Sequence, residues 1–220
     1  MRTALAHADL FLRGSGPFLP EQAASRPGWW LPLMVVAFSP IYGAFMGSFD
    51  LGSAERLLII AYSGAKVPLL LFATTALCLP GFFVLNTVLG LRDDFREAVQ
   101  AVLAGQAGLS IALASLAPLT RFWYFSCGSY RAALLFNAAM FTVATAAGQI
   151  IMLRYYRPLV RRNRRHRLML MVWVGLYAFV GMQMGWMLRP FIGDPKAPVA
   201  FFRQEPFSNA YVVIARLIFR

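Results

Sequence analysis

Five stretches of this chain are long and apolar enough to cross a membrane, and the charged residues collect almost entirely between them. A helix rising 1.5 Å per residue needs about 20 apolar residues to cross a hydrocarbon core of about 30 Å. Runs at 30–47, 67–89, 98–119, 132–153 and 168–188 meet that length or come close to it. Of the 220 residues, 59% are hydrophobic and 14% charged, whereas soluble domains average about 45–50% and about 25%. That excludes a water-soluble globular enzyme. With 15% aromatic residues, the chain also buries too much surface to be disordered. The expected fold is all-α: a polytopic bundle of five transmembrane helices at 30–188, preceded by a segment 1–29 and followed by a tail 189–220.

The second run is ambiguous, because apolar residues extend from 57 to 89, broken only by Lys66, Pro68 and Pro80. A hairpin split at Lys66 leaves nine residues, about 14 Å of helix, on one side. That is too short to cross. The span therefore reads as 67–89, with Pro68 in its first turn. Residues 57–65 are then an interfacial approach or two extra turns of a tilted helix.

Orientation follows from arginine. Lys and Arg number 21 against nine acidic residues, a net charge of +12. Residues 154–167, RYYRPLVRRNRRHR, read as a loop that holds Arg154, Arg157, Arg161, Arg162, Arg164, Arg165 and Arg167. Short loops rich in Arg and Lys stay on the cytoplasmic side. An odd number of spans then predicts N-terminus in and C-terminus out, with an integral protein of a bacterial cytoplasmic (inner) membrane as the expected setting. Residues 1–29 do not read as a signal peptide, since Asp9, Arg13 and Pro17 interrupt any apolar core. ALAHADLFLR suits a short interfacial helix.

Chemistry-bearing residues are sparse. The seven arginines are candidates for binding anionic lipid or an acidic partner. Lys66, at the edge of a span, reads as an interface anchor whose ammonium snorkels to water, or as a pathway residue. Asn86, Asn137 and Gln183 are, with Lys66, the candidate interhelical polar residues, because amides bond across helices in hydrocarbon. Asp93, Asp94 and Glu97 lie close enough to Arg92 and Arg96 for local ion pairs. His166 reads as a solvated loop residue. No acid–base pair, nucleophile triad or metal-ligand spacing can be assembled, so no catalytic residue, metal or cofactor is expected. Small residues, among them Gly105, Gly108, Gly148, Gly175, Gly181 and Gly185, permit close helix approach.

The tail is unusual. Pro190, Pro195, Pro198 and Pro206 forbid a long helix, and its phenylalanines are too many for a free segment in water. It is expected to fold back over the outer mouth of the bundle or to dock on a partner, through Arg189, Phe191, Phe201, Phe202 and Arg203. Residues 209–220 suit a short surface helix.

The strings KVPLLLFATTALCLPGFFVLNTVLG (66–90), LYAFVGMQMGWMLRPFIGDP (176–195) and VAFFRQEPFSNAYV (199–212) resemble a group of small, uncharacterised bacterial polytopic membrane proteins. The LRPFIG-P…FFR tail is the most specific part of that likeness. The five-helix count is also similar to Yip1-type membrane proteins, in architecture only. The resemblance implies a fold and no activity, and singles out Lys66, Pro68, Asn86, Gln183, Arg189 and Pro190.

The expected function is non-catalytic: an accessory or scaffold subunit that packs against another membrane protein or against itself, with anionic lipid at the arginine segment and no nucleic acid. The alternative is a channel, transporter or lipid-handling protein whose pathway runs past Lys66, Asn86, Asn137 and Gln183.

Overall fold

In hydrocarbon every backbone N–H and C=O must be satisfied within the chain, so an apolar span folds as a helix. The computed structural model describes residues 29–49, 57–193 and 199–202, and among these its regular structure is entirely helical, without strands. Its helices are α1 (Trp30–Gly47), α2 (Leu57–Val88), α3 (Phe95–Ser126), α4 (Tyr130–Arg162) and α5 (Arg165–Met187), with a single 3-10 turn at Arg92–Asp94. All five are long and apolar enough to cross a membrane. The expected N-terminal interfacial helix, Arg203 and the expected helix at 209–220 lie outside the described residues.

Four helices exceed the predicted spans. Residues 57–65 are continuous with α2, so Lys66 and Pro68 sit well inside one helix of 32 residues. Residues 154–162 are the last turns of α4, not a loop. That corrects the reading of 154–167, where arginine marked the edge of the apolar core and not the end of the helix. Arginine is a good helix former, and the connection to α5 shrinks to Asn163 and Arg164. There Asn163 Oδ1 accepts the Arg165 amide at 3.0 Å, closing the turn. The α2 C-terminus ends differently: Gly90 takes φ +71°, and Leu91 N–H returns to Asn86 O at 2.8 Å. Glycine adopts that left-handed cap without a Cβ clash.

The connections define two ends. Gly90–Asp94 and Asn163–Arg164 share the arginine end, and the end of α1, the α3–α4 turn and the residues after α5 share the opposite, tail end. Packing runs α5–α2–α1–α3–α4, with α4 and α5 touching only lightly. Helix α3 is the most enclosed and α5 the least. One core draws buried side chains from α1, α3 and α4 with Val67 and Leu71 of α2; a second, toward the arginine end, joins α2, α3, α4 and α5 around Phe82, Val102, Tyr156 and Trp173.

Two close crossings hold this together. Gly43 and Gly47 bring α1 against the backbone of α2 at Ile59–Gly64, and Gly105 and Gly108 bring α3 against Gly148, Ile151 and Met152 of α4. A Cβ at Gly148 would sit 2.7 Å from Gly105 O and 2.8 Å from Leu109 Cβ. Van der Waals packing between backbones replaces the hydrophobic effect as the associating force in lipid. Gly148→Val is expected to destabilise the protein by about 1–3 kcal/mol, the usual effect of overpacking, whereas Gly128→Ala, with nothing within 4 Å, leaves the melting temperature in detergent unchanged.

Candidate functional site

Polar side chains form two separate groups, one at each end. At the arginine end, three helices meet on Asp94, the residue before α3. His166 Nε2 lies 3.0 Å from Asp94 Oδ2, and Arg162 Nη1 donates to Asp94 Oδ1 at 2.5 Å. The other ring nitrogen of His166 is 3.4 Å from the Tyr156 hydroxyl. His166 is fully buried, which corrects its reading as a solvated loop residue: α5 begins at Arg165, so the ring faces the bundle and not the turn. Asp94 and Glu97 pair with Arg162 of α4 rather than with their neighbours Arg92 and Arg96. Arg165 donates to Leu89 O at 3.0 Å and so caps the end of α2.

The seven arginines therefore divide. Arg162 and Arg165 hold the ends of helices together. All seven are exposed, Arg162 and Arg165 included, and Arg154, Arg157 and Arg161, spaced i, i+3 and i+7, run down one side of the last turns of α4.

At the tail end, Asn137 of α4 joins three helices. Tyr42 of α1 donates to Asn137 Oδ1 at 2.8 Å, and Asn137 Nδ2 donates to the Tyr124 hydroxyl of α3 at 2.7 Å. Tyr124 in turn donates to Met46 O at 3.2 Å, and Arg121 Nη1 donates to Ser48 O at 2.7 Å. The remaining group sits against α2. Lys66 is 1% exposed, buried instead of snorkelling, with Nζ donating to Pro190 O at 2.5 Å and lying 4.8 Å from the centre of the Phe201 ring. Ser63 Oγ donates to Phe191 O, and Tyr130 donates to Ile192 O at 3.4 Å. Phe201 also packs edge-on against Tyr62, and Phe202, exposed, against Phe201. Arg189 lies over the Trp186 ring.

Two predicted polar residues stand apart from both groups. Asn86 Nδ2 bonds Phe82 O of its own helix at 2.8 Å, while its buried Oδ1 meets no partner. Gln183 is half-buried on α5. Lys66 and Asn86 lie 20 residues apart on α2, about 30 Å, so the four amide and ammonium groups do not converge on one cavity. Residues that sequence reasoning missed are the hydroxyl partners: Tyr42, Tyr124, Tyr130, Tyr156, Ser63, and Tyr177, which donates to Gln106 Oε1 at 3.0 Å. The weak signal for Ser63 was its i, i+3 spacing from Lys66. Among the described residues no three His, Cys, Asp or Glu side chains are grouped to hold a metal ion.

By length and composition of its helices the class is a polytopic helical membrane protein. No protein-family model, curated protein or solved structure matches the chain.

Two outcomes test these clusters. The hydrogen bond from His166 and the Arg162 guanidinium hold the Asp94 carboxyl below the usual carboxylate range. A carboxyl depressed on folding stabilises fully above its unfolded pKa of about 3.9 and loses that contribution as pH falls through the lower folded value. The melting temperature should fall as pH drops below about 4, and Asp94→Asn should flatten that limb. Asn137→Leu should cost about 1–3 kcal/mol by leaving Tyr42 unpaired; in a double-mutant cycle, adding Tyr42→Phe should cost less than it does alone.

Proposed function

We propose that the protein is a non-catalytic accessory or scaffold subunit of a membrane assembly, joined through α5 to another membrane protein or to a second copy of itself. The supporting observation is a seam that is exposed among the described residues. Leu168, Met171, Gly175, Ala178 and Met182 are all exposed and alternate in steps of three and four, and Gly185 continues the row. That 3.5-residue period is the packing period of helix pairs, and small residues in it let a partner backbone approach. Among the described residues Gly175 and Gly185 have nothing within 4 Å of a built Cβ, unlike Gly105 and Gly148, which are filled. Gly181, by contrast, faces Thr74 of α2 at 3.5 Å, so the Gly181–Gly185 spacing is divided between an inner and an outer face.

In this reading the arginine end faces the cytoplasm and the tail end lies outside, in a bacterial inner membrane, because the arginine segment is the densest positive charge next to a span. The exposed Arg154, Arg157 and Arg161 then lie beside anionic head groups. Packing of Asn137, Gln106 and Lys66 with partners of this same chain supports a binding role over a conducting one.

The test is purification of the full chain in mild detergent and weighing by native mass spectrometry. A stoichiometric second protein or a dimer is expected. Gly175→Leu combined with Gly185→Leu should remove that species without changing the melting temperature, since no described residue lies within 4 Å of either glycine to clash with. A wild-type mass of 24.5 kDa alone, with or without lipid, would overturn the subunit reading in favour of lipid handling.

A further inference from the structure

At the arginine end one corner of the bundle is apolar and another, at the same height, is cationic. Arg162 donates to Asp94 and Arg165 to Leu89 O, so the ends of α2 and α4 lie at about one level. Eight residues back, about 12 Å of helix, are Pro80 on α2 and Arg154 on α4. From there to its end α2 exposes Phe83, Val84, Leu85 and Val88. Over the same height α4 exposes Arg154, Arg157 and Arg161. Helix α5 packs beside α2 and α3 beside α4, while α2 and α4 meet only across the second core. The apolar and cationic surfaces therefore belong to opposite corners and face different parts of the surrounding bilayer.

A flat leaflet boundary satisfies one corner only. Set at Arg154, it leaves the apolar side chains at the end of α2 among head groups and water. Set at Val88, it draws guanidiniums into hydrocarbon, where charge is costly. Helix α4 marks its own boundary: the 22 residues between Arg131 and Arg154 carry no charge and make about 33 Å of helix, one hydrocarbon thickness. Tilting the bundle moves the conflict without removing it. Raising α2 until Val88 is inside carries Leu57 and Leu58, exposed at its other end, out of the opposite leaflet.

We propose that Arg154, Arg157 and Arg161 are a lipid-binding ladder that draws the phosphates of the arginine-end leaflet up along α4, so that this leaflet is thinner at α4 than at α2. The ligand is the phosphate of a phospholipid head group. From Arg154 to Arg161 the ladder covers seven residues, about 10 Å, in steps of three and four along one side of the helix. Its guanidiniums thus stand at successive depths, as a sloping boundary requires. Each presents paired N–H groups that match phosphate oxygens, and local thinning brings the anion to the charge in place of burying the charge. Arg162 and Arg165, turned to Asp94 and Leu89 O, hold the end of α4 against its neighbours. The ladder goes beyond the subunit reading: it does not use the α5 seam and holds whichever side of the membrane the arginine end faces.

The experiment measures depth with spin labels on the full chain in nanodiscs of phosphatidylcholine and phosphatidylglycerol, by the contrast between oxygen and a water-soluble nickel relaxant. Labels sit at Leu153→Cys and Val88→Cys, both exposed positions, in a Cys78→Ala, Cys127→Ser background. Leu153 stands about 12 Å further from the arginine end than Val88, yet its label is expected at head-group level and the Val88 label in hydrocarbon. Changing Arg154, Arg157 and Arg161 together to Gln should move the Leu153 label about 5 Å or more, one helical turn, toward hydrocarbon and leave the Val88 label in place. Changing the same three to Lys keeps the charge and should keep the Leu153 label near the head groups, which separates loss of charge from loss of fold. A Leu153 label deeper than the Val88 label overturns the proposal, as does a Val88 label in water. So does an unmoved Leu153 label in the Gln variant. Movement of both labels in that variant assigns the difference to a rigid tilt and overturns it as well.

Discussion

Hydrocarbon supplies no hydrogen-bonding partner, and that absence governs where each polar side chain of this chain sits. Serine, threonine and asparagine within the spans return to the carbonyl four residues back, as Ser39 does to Val35, Thr75 to Leu71 and Ser110 to Gln106. Such local bonds cost the helix little and satisfy the hydroxyl. Residues too long for that solution, Tyr42, Gln106 and Tyr177, find partners on other helices, as Asn137 does in addition to its bond to Ala133 O, and so fix which helices are neighbours. The glycine crossings supply contact area, and the polar bonds supply register. Neither alone specifies one arrangement, because apolar helices in lipid slide past one another at little cost.

The five spans and the all-helical class were legible from hydropathy, since helix length is set by bilayer thickness and apolar content. Helix ends were not. Residues 154–162 extend α4 past its apolar run, whereas residues 57–65, apolar themselves, continue α2 through Lys66, and hydropathy alone separates neither case from an interfacial segment. His166 was misread for the same reason: a ring among arginines looks solvated until the helix boundary places it beneath Asp94. The spacing Gly43–Gly47 was present in the sequence and more informative than Gly181–Gly185, yet spacing alone does not say which glycines face a neighbour. For Lys66, burial depends on the segment after α5, 124 residues further on, which no local pattern encodes.

The two ends of the bundle solve opposite electrostatic problems. At the arginine end a single carboxylate, Asp94, gathers His166 and Arg162, so charge is matched by charge at the edge of water, where ion pairs are individually weak but orient the helix ends. At the tail end, among the described residues, cations are held by neutral oxygens and rings: Arg121 by Ser48 O and the Phe125 ring, Lys66 by Pro190 O and the Phe201 ring. Carbonyl dipoles and ring faces hold a cation without neutralising it.

Helix α5 shows what such fastening achieves. It is fixed at its start by His166 and Arg165, and along one side by Trp173 against Phe82, Leu176 O accepting from Cys78, and Gly181 against Thr74. Beyond its end, the carbonyls of residues 190–192 are fastened to α2 and α4. A helix restrained at both ends and on one face cannot rotate, so the opposite face keeps a constant direction. In the proposed assembly an incoming helix would meet a seam already oriented, with the entropy of ordering it lost during folding and not during association. The exposure of the least enclosed helix of the bundle thus comes from where it is tied, not from a lack of ties.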